Sequence, residues 1–290
     1  MRMSAAWGLG LALAFAGADA AWALPAASIA TPSRGAAMTA PEIVARNEAA
    51  RGGAPAWRKI ETMAWTGYAE NTNSPGRKVP FMLEQKRPGK VRFEVVEPSG
   101  SKAIRAYDGV AGWKMRAGAG GMPEVTPYAG DELSYARGAQ VIDGPLMDYA
   151  QKGAVVSVSG VDVVDGRRAY VLDARMPSGG LHRIWIDAES FLEMRHDREF
   201  TDANGHLGVA SVRYRDYRTF EGLLLPVTIE TGGGPGQPVN RLIIERIGLN
   251  PPIKDSAFDK PELVPTRRGR ITVDTRSAAT AGRPSSAQRP

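Results

Sequence analysis

The chain predicts a mainly β fold of antiparallel strands, and three observations carry that expectation. Between Ile60 and Gly248, runs of residues alternate bulky apolar with polar side chains, as in Val79-Phe81-Leu83 against Pro80-Met82-Glu84. The same alternation sets Val91-Phe93-Val95 against Arg92-Glu94, and Ile184-Ile186 against Arg183-Trp185-Asp187. Successive strand side chains point to opposite faces, so each run has a greasy face and a wet one. Second, the runs are separated by short turn sequences such as Pro88-Gly89, Asp108-Gly109 and Asp165-Gly166, which suit antiparallel neighbours. Third, the stretch contains almost nothing that resembles catalytic machinery. A sheet of this length buries its apolar face by curling on itself, by packing on a second sheet, or by holding something hydrophobic. A filled sandwich and a hollow barrel share one binary pattern, so the alternation does not choose between them.

Taken in order, residues 1–20 read as an export signal, with Arg2 as the positive start and an apolar run from Trp7 to Ala18. The run is shorter than the roughly 20 residues a membrane-spanning helix needs. Ala18-Asp19-Ala20 and Ala21-Trp22-Ala23 both offer a small-residue cleavage site. The second would leave Leu24 and Pro25 at the new start, which favours the first. Residues 21–38 form an Ala-, Ser-, Thr- and Pro-rich linker, and a domain is expected over residues 39–262. It opens with a helix from Thr39 to Arg51, where Thr39 and Glu42 make a capping box, Pro41 sits in the first turn and Gly52-Gly53 stop it. Its apolar stripe, Ile43, Val44, Ala45 and Ala49, is shallow and suits a helix lying on something larger.

Strands are expected at Ile60 to Glu70, Val79 to Arg87, Lys90 to Val96, Lys102 to Tyr107 and Val110 to Met115. The rhythm breaks from Tyr128 to Gly153, where Pro145 to Lys152 reads as a short helix with Leu146, Tyr149 and Ala150 on one face. Strands resume at Ala154 to Val164, Arg168 to Met176, Leu181 to Asp187, Phe191 to Glu199, Leu207 to Tyr217, Leu223 to Glu230 and Val239 to Ile247. A closing turn at Ser256-Ala257-Phe258 is expected to dock Phe258 on the sheet edge. Residues 263–290 lack the apolar content to fold and read as a disordered basic tail.

The net charge is +6, and its location excludes a class. Past Glu262, six arginines, Arg267, Arg268, Arg270, Arg276, Arg283 and Arg289, stand against one acid, Asp274, so the body is close to neutral. A nucleic-acid binder gathers basic groups on a folded face, so no nucleic-acid partner is expected. The tail is either simply solvated or makes transient contact with an anionic membrane surface, where each basic residue is worth about 1 kcal/mol. The chain has no cysteine, which removes both a disulfide framework and a lipidated anchor residue. A periplasmic location, with the signal cleaved and no lipid anchor, is expected.

The chemical candidates are sparse. His182, His196 and His206 fall near Asp187, Asp197 and Asp202, but without the close spacing of metal ligands, so neither metal nor cofactor is expected. The glycine-rich pieces at 118–121 and 232–236 precede neither Lys-Ser nor Lys-Thr and read as hairpin loops. A nucleophile elbow is absent. Paired carboxylates remain, Asp131-Glu132 and Asp143 with Asp148, the residue type of a glycoside hydrolase, although loop acids and a helix-terminal Asp that favours the helix dipole are the preferred account of them.

Several pieces resemble the LolA-like superfamily of periplasmic lipoprotein and lipid carriers, with its outer-membrane lipoprotein-sorting and RseB-like relatives. They are Gly52-Gly53 with Trp57 and Ile60, Gln85 through Arg92, Ala106-Tyr107-Asp108-Gly109 with Gly112-Trp113, and Asp143-Gly144-Pro145-Leu146 with Asp148-Tyr149. Tyr214 through Arg218 and Gly222 through Pro226 complete the set, which spans most of the domain. The resemblance implies an unclosed, strongly curved antiparallel β-barrel with short helices plugging the mouth above an apolar cavity. It implies a non-enzymatic carrier of lipoprotein acyl chains or another lipid, passing them between membrane-bound donor and acceptor proteins. The alternatives are a sensing module that acts on a membrane regulator and an envelope hydrolase using the paired carboxylates. Burying one CH₂ is worth roughly 0.8 kcal/mol, so a long acyl chain held in such a cavity gains about 10 kcal/mol over water. The cargo is expected on the inward faces, at Met63, Trp65, Phe81, Leu83, Phe93, Val95, Trp113, Ile184, Ile186, Leu192, Met194, Leu223 and Leu225, with Leu146 and Tyr149 at the lid. The helices at Thr39 to Arg51 and Pro145 to Lys152 are the expected gates, held by few contacts. A void of several hundred Å³ would mark a carrier, and a filled interior a scaffold.

Overall fold

A computed structural model describes residues 38–137, 142–177, 179–201, 207–232, 239–265 and 271–273. The segments read from sequence as export signal and linker, His206, and most of the segment read as basic tail lie outside them. Helix α1 (Ala40–Ala50) and the single turn α2 (Ala54–Trp57) precede a meander of six strands. These are β1 (Thr62–Asn71), β2 (Val79–Lys86), β3 (Lys90–Val96), β4 (Lys102–Tyr107), β5 (Gly112–Ala117) and β6 (Pro123–Pro127). After α3 (Gly130–Arg137) come β7 (Val155–Val164), β8 (Arg167–Arg175), β9 (Leu181–Asp187), β10 (Glu193–Thr201), β11 (Leu207–Phe220), β12 (Leu223–Gly232) and β13 (Val239–Leu249). A two-stranded ribbon, β14 (Leu263–Pro265) with β15 (Ile271–Val273), lies in the region read from sequence as tail.

All thirteen main strands form one antiparallel sheet in the order β6-β5-β4-β3-β2-β1-β13-β12-β11-β10-β9-β8-β7. The first and last long strands therefore lie side by side at the centre, while β6 and β7 are free edges that do not pair. The sheet is unclosed, as the resemblance implied. Its curvature follows from α3. Glu132 on that helix binds Arg105 of β4 and Lys114 of β5, while the carbonyl of Tyr135 accepts from Arg198 of β10 at 2.6 Å. Strands β4 and β10 are seven strand steps apart, roughly 34 Å on a flat sheet. A helix of eight residues spans only about 12 Å, so the sheet has to curl for both contacts to exist.

At the central seam the backbones approach closely. A Cβ on Gly67 would lie 1.9 Å from the carbonyl oxygen of Ile243, at the bulge where the β1–β13 register shifts. Gly52 ends α1 with φ +104°, and a Cβ there would lie 2.4 Å from the carbonyl oxygen of Gly222. Arg51 accepts from the backbone of Leu224 at this point, so the end of α1 is fastened to the β11–β12 hairpin. Both glycines permit contacts that any other residue would block.

Sequence and structure differ at four places. Pro145 to Lys152 is a series of turns, not a helix, because Gly144 and Asp148 adopt positive φ and the hydrogen bonds run mainly over three residues. Helix α3 falls in the segment where the sequence showed no rhythm, and strand β6, just before it, was not expected. Phe258 is fully buried, but against the outer face of the sheet, where its carbonyl accepts from the indole of Trp113 at 2.8 Å. Among the described residues no helix is long and apolar enough to cross a membrane.

Candidate functional site

Cross-strand register builds the site. Directly paired residues of an antiparallel sheet share a face, and one such row runs Ile247–Trp65–Leu83–Phe93–Arg105–Lys114 from β13 to β5. It turns from apolar to cationic as it nears the open edge. The concave face so formed holds a partly enclosed cavity of ≈ 240 Å³. One wall is apolar, made by Trp65, Leu83, Val91, Phe93, Ile142, Val212, Leu225 and Ile229. The other is polar, made by Arg51, Arg105, Tyr128, Tyr135, His182, Glu193, His196, Arg198, Tyr214 and Tyr217. An apolar cavity of roughly 150 Å³ already admits a benzene ring, so this volume takes a segment of one hydrocarbon chain and not several chains. It is smaller than the several hundred Å³ expected, because α1 and the turns at 142–153 fill the concave face of β8 and β9. There Ile43 and Val44 pack with Leu146, Leu172, Ile184 and Ile186, against which Tyr149 also rests.

This placement sorts the residues expected at the site. Trp65, Leu83, Phe93 and Leu225 line the cavity. Met63, Phe81, Val95 and Leu223 belong to the same buried cluster and back that wall, with the rings of Phe81 and Phe93 stacked at 5.7 Å. Ile184, Ile186, Leu146 and Tyr149 seat the plug instead of facing the void. Trp113 pairs with Ala106, which pairs with Arg92, and this row faces away from Phe93; the indole packs with Ile104 and Met115 on the outer side. Met194 is the extra residue of a bulge between Glu193 and Arg195, which turns it outward against Val171 and Trp185. Leu192 is half-buried in the turn before β10.

The plug is firmly held, contrary to the loosely held gates expected. Asn47 donates to the carbonyl of Phe191 at 2.8 Å, and Arg58 donates to Asp148 at 2.9 Å through Nε. Asp143 is bound by Arg87 and Lys152, both at 2.9 Å, and its carbonyl accepts from Arg51. Asp148 is kept below the usual carboxylate range, chiefly by the Arg58 hydrogen bond. The carboxylates considered as an acid–base pair are thus engaged as ties: Asp143 and Asp148 hold the plug, and Glu132 holds α3 through Arg105 and Lys114.

Sequence reasoning missed the polar wall. The left-handed backbone at Asp216, φ +54°, interrupts the alternation without shifting the β11–β12 register, so that Tyr214 and Tyr217 both line the cavity, and the Tyr217 hydroxyl donates to the carbonyl of Glu193 at 2.8 Å. His182 and His196 meet with ring nitrogens 2.8 Å apart, one donating and one accepting. Burial, reinforced by each other's charge and by Arg198, pushes His182 down to about 3, and burial with Arg198 takes His196 down to about 4. The pair is neutral at pH 7. Among the described residues no group of three or more His, Asp or Glu could hold a metal ion. Burial raises the Tyr135 phenol to about 12, so it too is neutral. Arg198 packs under the Tyr135 ring, 3.8 Å from its centroid. The signal available in the sequence was charge on the inward parity of β4 and β10, at Arg105, His196 and Arg198.

The structure is similar to that of a LolA superfamily protein from Nitrosomonas europaea, with a TM-score of 0.50 and 15% identity, covering 77% of this chain and 99% of that one. A DUF1329 family protein from Desulfovibrio piger aligns with a TM-score of 0.48 and 13% identity over 74% of this chain and 97% of that one. No family model matches the chain, and no curated protein matches it.

Proposed function

We propose that this chain, which has the fold of the LolA superfamily, is a non-enzymatic periplasmic carrier that takes up one acyl chain of a lipid or lipoprotein and passes it between membrane-bound partners. The observation that carries the reading is the void itself. Trp65, Leu83, Phe93, Val212, Leu225 and Ile229 surround unfilled space on the concave face, where a protein built only for stability would place side chains. Burying roughly half of a long acyl chain there would stabilise the complex by about 5 kcal/mol, enough to hold a cargo and still release it. The export signal read from the sequence and the firm seat of α1 support a preformed container that works outside the cytosol.

The test is uptake of a fluorescent fatty acid by the delipidated protein. Ala210 lines the void and is buried. Ala210→Phe should fill it and lower the affinity at least tenfold while the far-ultraviolet circular dichroism is preserved. Uptake equal to wild type in Ala210→Phe, or no uptake by wild type, would reject the reading. Phe93→Asp and Leu83→Asp should also abolish uptake, and thermal melts would show whether those buried carboxylates had unfolded the sheet instead.

A further inference from the structure

Four buried polar atoms in the cavity wall have no hydrogen-bond partner among the described residues: Trp65 Nε1, Gln85 Oε1, Arg105 Nε and Tyr135 Oη. Trp65, Gln85 and Tyr135 are each only 8% exposed. Beside them stands Arg198, half-buried, whose guanidinium donates to the carbonyl of Tyr135 but has no carboxylate partner among the described residues. The neighbouring arginines differ, since Arg51 has Glu193 and Arg105 has Glu132. Leaving one buried polar atom unpaired costs about 1–3 kcal/mol, and an unpaired charge costs more. Folded proteins rarely leave several such atoms together, so their convergence on one void points to a missing partner. Two of the four, the Trp65 and Arg105 N–H groups, can only donate, as can the Arg198 guanidinium beside them; the Tyr135 hydroxyl is able to donate, and Gln85 Oε1 alone needs a donor. The missing partner therefore offers acceptor oxygens and negative charge. The neutral histidine pair beside Arg198 adds no competing cation.

We infer that the cavity selects a single-chain amphiphile with an anionic head, a carboxylate or a phosphate ester, held beneath α3 by Arg198 with Arg105 and Tyr135 while its tail lies along Leu83, Phe93 and Leu225. This rests on the carrier reading and narrows its cargo. Helix α3 supplies both Tyr135, on Arg198, and Glu132, on Arg105, so a bound head would bridge the two halves of the sheet where the edges do not pair.

Titration calorimetry on the delipidated protein tests this with dodecanoate, dodecyl phosphate, dodecanol and inorganic phosphate. The two anionic amphiphiles should bind at least tenfold more tightly than dodecanol, and inorganic phosphate only weakly. Arg198→Gln should remove that preference while leaving dodecanol unchanged, and Arg198→Lys should restore part of it. Because Arg198 also ties α3 through the Tyr135 carbonyl and ring, the melting temperature of Arg198→Gln is read alongside, and dodecanol binding equal to wild type shows that its cavity is intact. Equal binding of dodecanol and dodecanoate, or an anionic preference that survives Arg198→Gln, would overturn the head-group site and leave the carrier standing. Inorganic phosphate bound as tightly as dodecyl phosphate would instead overturn the carrier and keep an anion site. Failure of all four ligands would remove both.

Discussion

Trp65 and Trp113 show what a single residue's position decides. Both lie on strands with alternating neighbours, yet Trp65 faces the void and Trp113 the outer surface beneath Phe258. Alternation says that two faces exist but not which is concave, and strand-by-strand parity can be carried across the sheet only when register and bulges are known. That is why Met194 was misplaced, and why the charged residues of the inner face were unread. Among them, His182 and His196 make a prediction of their own. Their folded pKa values lie below the ordinary 6.5, at about 3 and about 4, so the unfolded chain binds more protons between pH 6.5 and about 3 and stability falls as pH drops through that window. Replacing both with Phe should flatten this part of the profile, read as the urea midpoint at pH 7.5 against pH 5. An unchanged slope would mean that the pair is not buried as described.

At the scale of elements, the strands were legible almost throughout because each carries its own period and turn residues. Helix α1 was legible because Thr39 and Glu42 announce it, and the Thr39 N–H and hydroxyl both donate to the Glu42 carboxylate at 2.8 Å. Helix α3 was not. Its eight residues hold no apolar stripe, and its position rests on long-range ties that no local pattern reveals. Those ties, and no local pattern, hold α3 in place. Glu132 stays below the usual carboxylate range although burial opposes it, because Lys114, the Ala129 N–H and Arg105 outweigh that cost. Its contribution is therefore complete above its ordinary value of 4.5 and is lost as pH falls through the lowered folded value. Glu132→Gln should weaken the tie by about 2 kcal/mol and raise amide exchange in 130–137, with little change in β1 and β13. Uniform acceleration across the sheet would show instead that Glu132 supports the whole fold. Gly67→Val should be far more damaging, because its side chain has to displace the backbone of Ile243 at the central seam.

For the whole molecule, the fold class was readable from the strand rhythm, and the unclosed barrel from the resemblance carried by its turns and aromatic residues. The order of strands explains the opening. Two meanders joined through β1 and β13 leave β6 and β7 as free edges, and the chain between them crosses the mouth because that is the path from one edge to the other. The interior was not legible, since the same alternation builds a filled core, and the size of the void depends on how far α1 and the turns at 142–153 intrude. The most direct measurement is native mass spectrometry of the protein purified from cells without detergent, before and after delipidation and after addition of dodecanoate. One bound amphiphile per chain, removed by delipidation, regained with dodecanoate and absent from Ala210→Phe, is the predicted result. An unliganded mass under every condition would contradict the account.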